Sequence, residues 1–311
     1  MVRYDIGSLG IVAAAGTAAA AFLSAAAPIP EGPPSAADGT GMPSIESCRF
    51  CAGECEVHAT AVVLGRYTAT YLRCRACASV QVASPHWLDE AYTSAIASTD
   101  VGLASRSVWC SQLTALVIRR FFPNARRFCD VGGGTGLFVR LMRDAGFAFE
   151  WDDPYAHNEF AVGHEARSGD RYDLVTAFEV LEHLTDPGAL VRRAAEAGAA
   201  LLLTTELVPE PAPRPEAWPY ASLDTGQHIS FASHRGLQAL AAAHGLHATS
   251  AGTVHVLAAR PLPARQLRVL TAQPVARRLG PWAARPSLLP DDAAGAVRAL
   301  REAHQLVRGN R

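Results

Sequence analysis

The stretch Arg126-Arg127-Phe128-Cys129-Asp130-Val131-Gly132-Gly133-Gly134-Thr135-Gly136-Leu137-Phe138 limits the fold of this 311-residue chain more than any other. It reads as a short buried strand, a glycine turn, and an apolar-faced helix running to about Asp144. Gly132, Gly134 and Gly136 follow a G-x-G-x-G spacing, and Leu137 stands where a dinucleotide fingerprint places its last glycine. Glycine is needed there because the backbone must turn tightly and let a ligand approach with no Cβ in the way. Asp130, at the strand end, can accept a hydrogen bond from an ammonium group or fix the turn. A carboxylate in that place suits a cationic ligand better than a pyrophosphate.

The segments that follow keep alternating. Phe147 to Trp151 reads as a second strand, ending in Asp152-Asp153-Pro154. Tyr172-Asp173-Leu174-Val175-Thr176-Ala177 reads as a further buried strand that runs into Phe178-Glu179-Val180-Leu181-Glu182-His183-Leu184. Asp186-Pro187 starts a helix, and Ala200-Leu201-Leu202-Leu203-Thr204 is one more apolar strand. Such alternation predicts an α/β, Rossmann-like fold with helices on both faces of a mostly parallel sheet, and ligands bound at the strands' carboxyl ends. The polar features above all fall at such ends.

With these motifs the chain resembles class I S-adenosylmethionine-dependent methyltransferases over roughly Arg126 to Ala259. The resemblance implies a seven-stranded sheet closed by an antiparallel strand near Val254 to Ala259. It also implies that Asp130, Gly132, Gly133, Gly134 and Gly136 hold the cofactor's methionine end. Asp153 would hold the ribose hydroxyls, and Phe178 and Glu179 would close over the cofactor. The segment between Asp153 and Tyr172 is short for a helix plus a strand, so the third strand has no assigned place.

Cys48-x-x-Cys51 and Cys74-x-x-Cys77 flank a strand-like segment. Two such knuckles read as a zinc ribbon, since the spacing lets both thiolates of a knuckle reach one tetrahedral ion. Four cysteines leave no open coordination position, so that zinc would be structural. Disulfides are the alternative for an exported chain. Cys55 falls outside the pattern, and Cys110 and Cys129 read as small core residues. A cysteine-knuckle segment before this kind of domain is similar to deoxysugar C-methyltransferases and related glycan-pathway enzymes. In those relatives a segment like Thr225-Gly226-Gln227-His228-Ile229-Ser230-Phe231-Ala232-Ser233 carries a catalytic histidine, which His228 matches, while Thr225 and Gln227 depart from the pattern. The sugar enzymes carry a further large C-terminal domain for which this chain has no room.

Methyl transfer to a hydroxyl or carbon acid needs a proton acceptor, and histidine suits that task. His228 and His183 are the two candidates; a hydrogen-bonding role that ties a loop to the sheet is open for both. Trp218-Pro219-Tyr220 reads either as a lid over the acceptor site or as an aromatic plug, and Glu206 as an acceptor ligand or a cap. The rivals to methyl transfer are a nicotinamide-dependent oxidoreductase on the same fold and a non-catalytic zinc-knuckle scaffold.

The net charge is −1 and there is no lysine, so no basic field argues for nucleic acid. The expected organisation is an Ala/Pro-rich, disordered or untranslated extension (1–43), a zinc-knuckle module (44–90), linking helices (91–125), the cofactor domain (126–260) and a solvated Arg-rich helical tail (261–311). Ile6 to Ala27 carries no charge and has traits of a signal segment, but its alanine content and Pro28 argue against one. A cytoplasmic enzyme acting on a small, sugar-like acceptor is expected, with no membrane partner.

Overall fold

The computed structural model describes residues 46–92, 101–167 and 169–309. The expectation for residues 1–43 lies outside the described residues, as does part of the linking segment 91–125.

The sheet predicted from the alternating segments is present. Strand β4 (Arg127–Val131) pairs in parallel with β5 (Ala148–Asp152) on one side and β6 (Leu174–Phe178) on the other. Strand β7 (Ala200–Thr204) adds in parallel to β6; β10 (Val254–Ala258) and β9 (His247–Ala251) close that edge antiparallel. Among the described residues the order is β5-β4-β6-β7-β10-β9, six strands where seven were expected. The missing place, beside β5, is held by a single parallel bridge between Trp151 and Glu165. Two backbone bonds of 2.8 Å make it, Trp151 to the His164 carbonyl and Ala166 to the Trp151 carbonyl. Its cause is local: Asn158 accepts from the Ala161 amide at 2.9 Å and donates to Glu165 at 2.7 Å, folding the short segment back on itself.

Alternation along the strands sorts side chains to two faces. Phe128, Phe149, Leu174 and Leu202 pack against helices α2 (Leu103–Phe121) and α3 (Leu137–Asp144). Cys129, Val175, Leu201 and Leu203 pack against α4 (Pro187–Glu196) and α5 (His234–Ala243). The start predicted from Asp186 is an N-cap, accepting from the Ala189 amide at 3.2 Å, and Ser233 caps α5 likewise, accepting from the Gly236 amide at 2.9 Å. Burying a side chain of this size contributes about 1.5–3 kcal/mol.

The cysteine segment is not a separate bead. Strands β1 (Cys55–Val63), β2 (Tyr67–Cys74) and β3 (Val80–Val82) form an antiparallel sheet completed by β8 (Ser230–Phe231), which follows β7 far along the chain. The Arg49 guanidinium fastens the seam, donating to the carbonyls of Ile229 and Val82, each at 2.8 Å, and to Ser230 Oγ at 2.9 Å. A short helix, α1 (Leu88–Ala91), then brings Tyr92 against the same segment.

The tail is helical, but its first half is not solvated as expected. Helices α6 (Ala264–Thr271) and α7 (Gln273–Leu279) bury Leu267 and Ala276 in the α2/α3 core. Arg285 stacks over Phe147 at 4.6 Å from the ring centre. At the start of α8 (Leu289–Gly309), Asp292 accepts from Arg143 at 2.6 Å and Arg140 at 2.9 Å. Arginines on α3 thus have a partner on α8, and in the tail Ala276 and Ala283 face inward. Further along, Val297 and Leu300 are exposed. Among the described residues no helix is long and apolar enough to cross a membrane.

Candidate functional site

The glycine turn between β4 and α3 takes the left-handed region at alternate positions, with φ of 71° at Gly132, 53° at Gly134 and 83° at Gly136. That alternation is the physical content of the G-x-G-x-G spacing. The turn floors a cleft of about 530 Å3, open mouth included, between β4 and α2. Asp130 and Gly132 to Gly134 line one side, Arg106, Ser107 and Cys110 of α2 the other, and Phe138 and Phe178 the end. Those two rings meet edge to face with centroids 4.9 Å apart.

The residues expected to hold the cofactor divide by position. Asp130 is buried on the cleft wall, accepting from Thr176 Oγ1 at 2.6 Å. Burial, more than the nearby Asp153 and Asp152 carboxylates, pushes it up to about 8, against the pull of the Thr176 bond. A buried acid of that kind is relieved by a cationic ligand. A Cβ on Gly134 would meet nothing within 4 Å, so its free face belongs to the cleft. Gly133 lines the cleft as well, but a Cβ there would come within 2.6 Å of Trp151 Cδ1. Gly136 instead faces Asn158 and Ala161.

Asp153 lies against the bend. Its Oδ2 accepts from the Gly134 amide at 2.9 Å and its Oδ1 from the Tyr155 and Ala156 amides at 3.0 Å. Burial raises its pKa and these three amides lower it. The neighbouring Trp151 Nε1 donates to the Gly134 carbonyl at 2.9 Å. Both backbone groups of Gly134 are thus gripped by side chains from the end of β5, a clamp that the sequence did not single out. The Arg106 and Thr176 contributions were missed too, because neither belongs to a local motif.

Beyond Phe178 the chain enters a buried cluster. Glu179 holds φ of 54°, a conformation that costs a non-glycine residue about 1–3 kcal/mol. It is fixed by its amide donating to Thr204, with Oγ1 and the carbonyl both at 3.1 Å. Three residues on, Glu182 and His183 are buried, and His183 meets His228 edge to face at 4.8 Å. His228 Nδ1 lies 2.6 Å from the Tyr220 carbonyl, so it carries the hydrogen and leaves Nε2 a lone pair. Tyr92 donates its hydroxyl hydrogen to the Gln227 carbonyl at 3.4 Å and sits 3.2 Å from His183 Nδ1, so His183 donates to it and also presents a bare Nε2. Burial drives both imidazoles toward neutrality, His228 down to about 4. Burial likewise pushes both glutamates up, Glu182 strongly.

Trp218 and Tyr220 are buried, with Trp218 Nε1 donating to Glu206 at 2.7 Å and Tyr220 meeting His228 ring to ring at 4.8 Å. Of the two readings of this segment, the plug describes its packing, and Glu206 is occupied in holding it.

In the cysteine segment, Cys48 and Cys77 Sγ are 3.6 Å apart and Cys51 and Cys74 Sγ 3.5 Å, with all four within 4.8 Å of one another. Tetrahedral zinc with Zn–S near 2.3 Å needs S···S of about 3.8 Å, so the donor set and spacing fit that ion. Backbone amides of Phe50 and Cys77 point at Cys48 and Cys74 Sγ, 3.4 and 3.5 Å away, an arrangement that favours thiolates.

Similarity to known proteins falls on the same part of the chain. Residues 106–251 match a family profile described as a methyltransferase domain. Among solved structures, TnmH is 24% identical, with 51% of this chain and 56% of that one covered at a TM-score of 0.38. The mitomycin 7-O-methyltransferase MmcR is 22% identical, over 49% and 53%, at 0.38. Human N-acetylserotonin methyltransferase is 20% identical, over 50% and 52%, at 0.38. The chain spans about half the length of these structures, and no curated protein matches it. The profile lies over the cleft and its strands, so residues 106–251 are similar to a methyltransferase domain.

Proposed function

We propose that this chain transfers a methyl group from S-adenosylmethionine to a small polar acceptor, with a sugar nucleotide or other glycan precursor favoured. One observation carries the reading: the glycine-turn cleft, with its buried Asp130, ends at Phe178, and the buried Glu179, Glu182, His183 and His228 cluster begins one residue later. Asp130 would hold the cofactor's ammonium group and Arg106 face its carboxylate. The open face of Gly134, beside Gly132 and Gly133, would admit the amino-acid end. Gly136 would support the turn from behind. Asp153, tied to the Gly134 amide, would present its remaining lone pairs to the ribose, and Phe178 and Glu179 would border the sulfonium. When bound, the cofactor supplies an activated methyl group. His228 or His183, neutral and with a bare Nε2, would take the acceptor's proton.

Cys48, Cys51, Cys74 and Cys77 would hold a structural zinc that fixes the small sheet, and through β3 and β8 the segment bearing His228. A cytoplasmic site of action follows from the cofactor and the reduced thiols. Incubation with labelled S-adenosylmethionine and a metabolite extract, read by mass spectrometry, tests the function. A methylated hydroxyl- or sugar-bearing product is expected. Absence of label transfer alongside hydride transfer from a nicotinamide cofactor would overturn it.

A further inference from the structure

Glu182, His183 and His228 bring three side chains of metal-ligating type together inside the protein. Glu182 Oε1 and Oε2, His183 Nε2 and His228 Nε2 are all buried and have no hydrogen-bond partner. These residues are 0%, 2% and 2% exposed. The ring nitrogens on the far sides, both Nδ1, are turned to the Tyr220 carbonyl and the Tyr92 hydroxyl. What faces inward is therefore two imidazole nitrogens and a carboxyl group, three side chains of metal-ligating type. Leaving such groups buried and unmatched costs about 1–3 kcal/mol each, more for a charge. One carboxyl oxygen of Glu182 and one ring nitrogen of each histidine lie within 4.8 Å of one another. Glu179, also buried and with Oε2 unpartnered, places a further carboxyl group beside this set.

We infer that Glu182, His183 and His228 form a second metal site, distinct from the four cysteines, for one divalent cation of the manganese, iron(II) or zinc kind. A single cation would engage all three side chains at once. Two imidazoles and a carboxylate are the donor set for such ions, and a cation at about 2.1 Å from each would draw the atoms to roughly 3.0–3.5 Å. The Tyr220 carbonyl and Tyr92 hydroxyl complete the arrangement by setting tautomer and ring orientation, the role outer partners take around metal-bound histidine. Glu179 stands by with a second carboxylate. Three protein ligands leave positions open for oxygen donors. For its chemistry the inference rests on the methyl-transfer reading: the open positions would take adjacent hydroxyls of the acceptor, and a hydroxyl on such an ion ionises near neutral pH, its proton passing to water. His228 and His183 are then metal ligands and the base is no longer a side chain.

Cobalt(II) added to metal-stripped full-length protein tests this by absorbance and elemental analysis. Two equivalents are expected, one with the thiolate charge-transfer band of the cysteine site and one without it. Glu182→Gln, which keeps the side chain's volume, and His228→Ala should each lose the second equivalent and keep the first. If His228→Ala fails to fold, Glu182→Gln decides. One equivalent in the native protein, or two in Glu182→Gln, overturns the site. Calorimetry with S-adenosylhomocysteine separates the two readings: binding without a second cobalt sinks the metal site alone, and a second cobalt without binding sinks methyl transfer alone.

Discussion

Gly133→Ala isolates the clamp on the glycine turn. The backbone at Gly133 lies outside the left-handed region, so alanine can adopt it; what alanine cannot do is fit under the indole. Its Cβ would sit 2.6 Å from Trp151 Cδ1, 3.0 Å from Nε1 and 3.3 Å from Asp130 Oδ2. The indole must move, and its 2.9 Å bond to the Gly134 carbonyl goes with it. Overpacking costs about 1–3 kcal/mol and the lost bond about 0.5–1.5 kcal/mol, together about 1.5–4.5 kcal/mol. Urea unfolding of Gly133→Ala, Trp151→Leu and the double variant reads this as a cycle. A coupling of at least about 1 kcal/mol is expected, since removing the indole removes the clash. A loss under about 0.5 kcal/mol in Gly133→Ala, or strict additivity, would refute the clamp.

Other outcomes follow from the charges. Asp130 carries a folded-state pKa raised to about 8, so the folded state holds its proton more tightly than the unfolded chain. Its contribution to stability therefore falls as pH rises from about 4 to about 8; Asp130→Asn should flatten this slope in pH-dependent melts, be more stable at pH 8, and bind S-adenosylhomocysteine more weakly. Asp292 is opposite: burial pushes it up, but the Arg143 and Arg140 bonds outweigh that and hold it at about 2. The stabilisation, about 2 kcal/mol, is complete above its ordinary pKa and lost as pH falls from about 4 to about 2. Acid titration of wild type against Asp292→Asn checks it, the variant showing the smaller loss over that window. Chelation of the cysteine site should raise hydrogen exchange at residues 80–82 and 230–231 together, because β3 and β8 share a ladder; exchange confined to residues 46–82 would contradict the shared sheet.

The sheet was legible because its strands are short apolar runs punctuated by glycine and proline, and the turn because positive φ at Gly132, Gly134 and Gly136 demands glycine in that spacing. The cysteine pairs were legible for a similar reason, as knuckle geometry fixes the interval. Contacts between distant segments were not. Ser230 and Phe231 give no strand signal alone and pair only because β3 presents an edge. The place beside β5 is one residue pair wide, too short to leave a periodicity. Ala276 and Ala283 in the tail look like solvated alanines until α2 lies against them. His183 and His228 were singled out from their positions, but their bare Nε2 atoms depend on Tyr92 and Tyr220, which no local pattern links to them.

The central claim, a sulfonium nucleoside held at the glycine turn, is tested most directly by calorimetric titration of S-adenosylhomocysteine into wild type and Gly134→Val. The account predicts a single site per chain in the wild type and no measurable heat in the variant, whose new side chain would fill the open face of the cleft. Equal binding by both proteins, or none by the wild type, would contradict it.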